Sequence, residues 1–155
     1  MSEQRLIDAD ALKEVIETYA PDRILIEPSG VGKLSDVIKA VEGVKEIADI
    51  ELNSYTTVVD VNKCKLYLKN FGEFYSNQVE SAGAVILSRT DVAKEGKVEE
   101  AVKMIREMNE KAAIITTPIE KLDGKKLLEV MEHPVSLEHK MMEEEVCPEC
   151  GHVHG

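Results

Sequence analysis

The end of the chain carries four candidate metal ligands within one short segment. Cys147 and Cys150 have the C-x-x-C spacing that lets two thiolates reach one ion, and His152 and His154 follow closely. Two sulfur and two nitrogen ligands form the set that Zn²⁺ favours. These residues therefore predict a zinc site. The alternative is a free end with exposed thiols, because zinc modules usually separate their ligand pairs by about a dozen residues or more.

A second group of candidate residues follows the apolar segment 23–26. Glu27 comes directly after this segment, and Gly30 comes shortly after Pro28. In nucleotide-dependent switches an acidic residue at such a position holds Mg²⁺, and a glycine lets a main-chain N–H approach the γ-phosphate. Glu27 and Gly30 are therefore candidate catalytic residues. The alternative is an ordinary turn in which Pro28 and Gly30 only end the strand.

A third group of candidate residues follows the apolar segment 84–87. Its pattern is S-R-T-D. Ser88, Arg89, Thr90 and Asp91 occupy the positions of the N-K-x-D motif with which GTPases recognise guanine. The aspartate would accept hydrogen bonds from the base, and the stem of Arg89 could pack beneath the purine. Thr116 stands where such folds complete the base pocket. We expect Ser88, Arg89, Asp91 and Thr116 to bind nucleotide; the alternatives are a helix-capping aspartate and an ordinary strand threonine.

Helices and short apolar strands alternate along the chain and would position these residues. The strands are rich in β-branched residues, as strands covered on both faces should be. This alternation predicts an α/β fold with three layers and a mostly parallel sheet of about four strands. The predicted strands are 24–26, 55–61, 84–87 and 112–117, and the predicted helices are 9–19, 35–46 with Ser35 as N-cap, 62–82 with an interruption near Phe71 and Gly72, 98–108 and 124–131.

The sequence contains no G-x-x-x-x-G-K-[ST] phosphate-binding loop. The segment Gly30-Val31-Gly32-Lys33 is superficially similar, but only Val31 separates the first glycine from the Gly-Lys pair. Main-chain N–H groups and a lysine of that loop normally neutralise the phosphates. We therefore expect these 155 residues to be inactive in GTP hydrolysis by themselves.

Composition indicates a globular protein whose acidic surface repels polyanions. The formal net charge is −11, with 43% hydrophobic and 32% charged residues. An acidic surface repels nucleic acid and anionic membranes, so neither is expected as a partner. The polar start and the lack of a long apolar run suggest a cytoplasmic protein. A composition change near Pro134 predicts a nucleotide-binding domain over 1–133 and an acidic tail over 134–155.

Several of these segments together resemble one protein family. They occur in the order and spacing of the CobW-type GTP-binding proteins, which are grouped with HypB and UreG, over roughly residues 11–132. The resemblance implies a P-loop NTPase-like fold missing its first strand. It also implies GTP and Mg²⁺ as cofactors and delivery of zinc or cobalt to a client metalloprotein. The matching segments are 27–30, 58–60, Gln78 before Ser81-Ala82, and 85–91.

The resemblance also assigns roles by position. Glu27 would be the Walker-B-like Mg²⁺ residue, Gly30 the switch-II glycine and Asp91 the guanine-reading residue. The family's Walker A loop and C-x-C-C metal motif would lie upstream of Ala11, where the sequence has neither. The leading interpretation is therefore a truncated CobW-type protein involved in metal delivery. The alternative is a noncatalytic α/β interaction module with a zinc-binding tail.

A partner chain offers a third interpretation. A P-loop-bearing partner fragment would supply the absent phosphate site, and a homodimer would close an open strand edge with a strand of the second copy. In the family's arrangement the absent strand lies between the segment ending at Glu27 and the strand ending at Asp60. Unpaired strand edges are unfavourable. We therefore expect residues 24–26 to pair directly with residues 57–59 within the chain.

Overall fold

The computed structural model describes residues 9–28 and 32–133. Helices and strands alternate through these residues as expected for an α/β protein. Two short 3₁₀ turns, Thr90–Val92 and Ile119–Lys121, follow the second and third strands. The helices are α1 (Ala9–Tyr19), α2 (Leu34–Lys45), α3 (Cys64–Glu80), α4 (Lys97–Met108) and α5 (Gly124–Glu132), and the strands are β1 (Thr56–Asp60), β2 (Ala84–Ser88) and β3 (Ala113–Ile115).

The three strands form one parallel sheet in the order β1-β2-β3. Val58 of β1 is level with Ile86 of β2, which is level with Ile115 of β3. Helix α3 connects β1 to β2, and α4 connects β2 to β3. Neighbouring parallel strands require such crossover connections, because a tight turn reverses the direction of the chain and can join only antiparallel strands. The predicted parallel sheet is confirmed.

Alternate side chains of the sheet point to two apolar clusters on opposite faces. On one face Val59, Val85 and Leu87 pack with residues of α3 and α4, including Val79 and Ile105. On the other face a smaller cluster joins the sheet to α5. Its buried members are Ala84, Ile86, Ile115 and Val130. Helices therefore cover both faces of the sheet, which confirms the predicted three layers.

The predicted strand at 24–26 is wrong. Ile24 and Ile26 pack on a third cluster that contains Leu12 of α1 and Val44 of α2. Among the described residues, neither pairs with β1, so the expected ladder to residues 57–59 does not form. Leu25 between them is 89% exposed. The segment is thus buried on one side only, because it completes the α1–α2 cluster, and the described sheet has three strands instead of four.

The start of α2 is stabilised by a neighbouring helix and not by its own cap. Lys33 is the N-cap and makes no side-chain cap hydrogen bond, so the prediction of Ser35 as N-cap is wrong. The N–H of Ser35 donates to Oδ1 of Asn77 at 3.2 Å, and Nδ2 of Asn77 donates to Oγ of Ser35 at 2.9 Å. Asn77 on α3 therefore satisfies a first-turn amide that a local cap would otherwise serve.

Helix α3 is kinked where the sequence predicts an interruption. Phe71 has φ −120° and ψ 15°, outside the helical range, while the residues on both sides stay helical. Gly72 follows directly and is a poor helix former. The predicted interruption is confirmed as a kink inside one helix. No helix among the described residues is long and apolar enough to span a membrane.

Candidate functional site at the carboxyl edge of the sheet

The chain turns sharply at the end of β2. Arg89 has φ 59° and ψ 29°, a left-handed conformation, and the 3₁₀ turn Thr90–Val92 follows it. Such a conformation costs an arginine on the order of 1–3 kcal/mol, and strained residues of this kind cluster at ligand sites. The turn leaves Asp91 exposed at the carboxyl edge of the sheet. Open parallel sheets bind their ligands at this edge.

Asp60 at the end of β1 holds the Arg89 side chain. Oδ2 of Asp60 lies 3.3 Å from Nε of Arg89, and the Asp60 side chain is only 16% exposed. Oδ1 of Asp60 accepts a hydrogen bond from the N–H of Asn62 at 2.9 Å. Both carboxylate oxygens are thus engaged, and the guanidinium of Arg89 is anchored over the end of β1. Sequence reasoning did not choose Asp60 as a site residue, although its place directly after a β-branched strand was a usable signal.

The two hydroxyl groups of the turn differ in their hydrogen bonding. Oγ of Ser88 donates to the carbonyl of Val59 at 3.4 Å, which is a long hydrogen bond. Oγ1 of Thr90 is buried and has no partner among the described residues. Buried hydroxyls are nearly always paired, so an unpaired one needs an explanation. Thr90 is the second residue here that sequence reasoning did not choose.

Thr116 lies at the same edge of the sheet. It follows β3 directly and is exposed. Because Ile86 is level with Ile115, Thr116 falls beside the end of β2. The structure therefore brings the ends of β2 and β3, with Ser88, Arg89, Asp91 and Thr116, to one edge of the sheet.

Glu27 is not part of this arrangement. It is exposed, and the segment before it is not a strand of the sheet. The segment is attached at its other end, where the Arg23 guanidinium forms an ion pair with Glu132 of α5. Gly30, the other candidate catalytic residue, lies outside the described residues.

The described residues hold no cluster suited to a metal ion. Within 9–28 and 32–133 no group of three or more histidine, cysteine, aspartate or glutamate side chains is close enough to bind one. Cys64 is 2% exposed and accepts a hydrogen bond from the hydroxyl of Tyr75 at 3.0 Å. Burial raises the pKa of the Cys64 thiol, so it stays protonated and is a poor metal ligand. The predicted ligands Cys147, Cys150, His152 and His154 lie outside the described residues.

A pocket of about 430 Å³ opens between β1 and α3. Four of its lining residues, on one face of α3, are aromatic, whereas the whole chain has 4 tyrosines, 2 phenylalanines and no tryptophan. Sequence reasoning missed this pocket, although the helical spacing of the aromatic residues was a signal. Its lining consists of Val58, Val59, Asp60, Tyr67, Phe71, Phe74, Tyr75, Gln78 and Ser88.

The polar groups at the carboxyl edge fit the base of a nucleotide better than its phosphates. An exposed carboxylate, a threonine hydroxyl and an anchored guanidinium lie at the ends of neighbouring strands. A carboxylate accepts two parallel hydrogen bonds, as the edge of guanine requires. Phosphates need a cradle of main-chain N–H groups, and the sequence motif for that cradle is absent from the printed sequence.

The fold and the residues at the carboxyl edge of the sheet together place the chain in the class of P-loop NTPase-like α/β proteins. The sequence model of one protein family, the CobW/HypB/UreG nucleotide-binding domain, matches residues 5–116, which is more than half of the chain. The chain therefore belongs to the CobW/HypB/UreG family, whose members are nucleotide-binding proteins linked to metal handling. No curated protein and no solved structure matches the chain significantly.

Proposed function

We propose that this protein takes part in delivering a metal ion, zinc or cobalt, to a client metalloprotein in the cytoplasm. One observation carries the proposal: the family match coincides with an exposed, strained S-R-T-D turn at the carboxyl edge of the sheet. Asp91 reads guanine in this proposal, with Ser88, Arg89 and Thr116 completing the base pocket. Glu27 and Gly30 act on Mg²⁺ and the γ-phosphate once the phosphate side of the site is complete.

Hydrolysis of GTP by these residues alone is not part of the proposal. Phosphate contacts supply the positioning on which phosphoryl transfer depends. The given sequence lacks the loop that makes those contacts, and in this proposal a P-loop-bearing partner fragment provides them. We expect no phosphate release above a protein-free control at saturating GTP and Mg²⁺. Steady release that disappears in both Glu27→Ala and Asp91→Ala would contradict this expectation.

Metal binding is assigned to the tail. Cys147, Cys150, His152 and His154 supply two thiolates and two imidazoles, a donor set suited to Zn²⁺.

Zinc content tests this assignment directly. Thiolate pairs bind Zn²⁺ strongly even in peptides, so we expect about one Zn²⁺ per chain at neutral pH. The double variant Cys147→Ser/Cys150→Ser should lose it, whereas Cys64→Ser serves as the control and should keep it. Equal zinc in the double variant and the parent would contradict the tail assignment.

A second candidate function is a noncatalytic α/β interaction module with a zinc-binding tail. The aromatic pocket beside β1 favours it, because exposed apolar surface of this kind is typical of protein-binding sites. The two candidates differ in their response to nucleotide. An interaction module of this kind shows no preference for guanine nucleotides over adenine nucleotides, and Asp91→Ala leaves its binding to partners unchanged.

A further inference from the structure

The guanidinium of Arg89 is anchored by a single carboxylate and still has donors to offer. Nε of Arg89 lies 3.3 Å from Oδ2 of Asp60, and the Arg89 side chain remains 67% exposed. Among the described residues Asp60 is its one polar partner. A guanidinium is a planar fork with more N–H donors than one contact through Nε can use. The ion pair therefore orients the group and leaves N–H donors for a ligand.

The strand order places Arg89 and Thr116 on opposite sides of the end of β2. β2 is the middle strand of the described sheet, and the contact with Asp60 draws the Arg89 side chain towards the end of β1. Thr116 follows β3, on the other side of β2. A flat ligand that lies against Asp91 over the end of β2 therefore has a guanidinium on its β1 side and a hydroxyl on its β3 side.

Guanine requires donors from its site as well as acceptors. Its ring N–H and amino group donate, whereas its O6 and N7 accept. The carboxylate of Asp91 only accepts, and the hydroxyl of Ser88 donates to the carbonyl of Val59 at 3.4 Å, back towards the sheet. An acceptor that leaves water without finding a donor weakens binding. The carboxyl edge therefore needs a donating side chain beside Asp91.

Building on the proposed guanine site, we propose that the guanidinium of Arg89 donates to N7 and O6 of the base, and that Asp60 is the positioning residue that holds it there. The paired N–H groups of an arginine match the spacing of these two acceptors. Asp91 and Arg89 then recognise different edges of the same base. Adenine has an amino group in place of O6, and this group would meet the guanidinium donor to donor. Arg89 is thus a specificity-determining residue.

Binding of two nucleosides to the full chain tests this role. Guanosine and 7-deazaguanosine differ only in that the second has a C–H group in place of N7 and cannot accept a hydrogen bond there. Neither has phosphates, so phosphate contacts do not enter the comparison. Titrations followed by amide resonances give both dissociation constants. The constant for 7-deazaguanosine should be about tenfold higher, because a hydrogen bond from a charged donor is lost.

Three variants assign the effect to Arg89. Arg89→Met keeps an unbranched stem without donors and should bind both nucleosides equally. Arg23→Met is the matched control, because the Arg23 side chain is 64% exposed and also pairs with one carboxylate, that of Glu132 on α5, and it should keep the full difference. Asp60→Asn should reduce the difference and leave the affinity for 7-deazaguanosine unchanged. A purely structural role of Asp60 would instead weaken both nucleosides alike.

Equal affinity of the parent for the two nucleosides would overturn the role of Arg89. The same difference in Arg89→Met and Arg23→Met would also overturn it, because another donor then binds N7. A loss of affinity in Arg89→Met for GTP but not for guanosine would place the guanidinium on the phosphates instead. Inosine separates these failures from failure of the guanine site, since it lacks the amino group assigned to Asp91. No preference for guanosine over inosine would overturn the site itself and the role of Arg89 with it.

Discussion

At the scale of single residues, the conformation of the carboxyl edge depends on the ion pair between Arg89 and Asp60. Arg89 adopts a left-handed backbone and reaches back 3.3 Å from Nε to Oδ2 of Asp60. This arrangement turns Asp91 outwards and leaves it available to a ligand. The sequence predicts the strand that ends at this turn, but the ion pair between two strand ends is a tertiary contact without a local signal.

Thr90 and Thr57 provide a matched test of hydrogen bonding. Oγ1 of Thr90 is buried without a partner among the described residues, whereas Oγ1 of Thr57 donates to the carbonyl of Gln78 at 2.6 Å. Thr90→Val removes an unpaired polar group and should leave the free energy of unfolding unchanged or raise it by up to about 1 kcal/mol. Thr57→Val leaves the Gln78 carbonyl unpaired and should lower it by about 1 kcal/mol or more.

Urea unfolding at neutral pH measures both threonine variants. A loss of more than about 1 kcal/mol in Thr90→Val would mean that the hydroxyl has a structural partner and is not held for a ligand.

At the scale of elements, burial on one side misled the prediction for residues 24–26. A short continuous apolar run with β-branched residues is a signal for a buried strand, and residues 24–26 satisfy it. Ile24 and Ile26 instead complete the α1–α2 cluster, while Leu25 is exposed. Strand β2 was predictable because its apolar run is continuous, as burial on both faces requires. Strand β1 was predictable because β-branched residues favour strands. The local pattern of apolar residues thus predicts strands inside the sheet more reliably than it predicts the structure of a segment that packs only on two helices.

Two glycines should respond in opposite ways to alanine. Gly43 lies inside α2 with no positive φ, and an added Cβ would meet nothing within 4 Å. Gly43→Ala should therefore raise the free energy of unfolding by about 0.5–1 kcal/mol. Gly96 has φ +78° at the start of α4, so Gly96→Ala should lower it by about 1 kcal/mol. Urea unfolding of the pair measures this, and a shift of both variants in the same direction would show the helix boundaries to be wrong.

The attachment of the 23–28 segment to α5 should depend on pH. A hydrogen bond from Arg23 lowers the pKa of Glu132, and Asn53 also donates to this carboxylate at 2.9 Å. A lowered native pKa means that the stabilisation is present above the unfolded-state pKa of about 4.3 and is lost as the pH falls through the native value.

Glu132→Gln tests this dependence on pH. The variant removes the titrating group, so its urea midpoint should fall less between neutral and acidic pH than the parent's midpoint does. Glu120→Gln is the control on an exposed residue and should behave like the parent. An equal acid loss in Glu132→Gln and the parent would show that the ion pair does not form in solution. The effect should be small, because exposed ion pairs contribute little.

At the scale of the whole molecule, the chain combines the family's base-side edge with a β1 edge that no other described strand pairs with. The CobW/HypB/UreG match and the parallel sheet agree on the fold. The resemblance predicted the family, because the order of several short segments is more specific than any one of them. The aromatic pocket beside β1 was not predicted, because it arises only when β1 and α3 lie side by side.

Recognition of guanine by the carboxyl edge is the central claim, and titration of labelled protein with nucleotides, followed by the amide resonances of Asp91 and Thr116, tests it most directly. GTP should shift these resonances more than ATP at equal concentration. Xanthine has a carbonyl where guanine has its amino group, so Asp91→Asn, which can donate to that carbonyl, should reverse the preference from GTP to xanthosine triphosphate. Equal shifts with all three nucleotides, or a preference unchanged by Asp91→Asn, would contradict the claim.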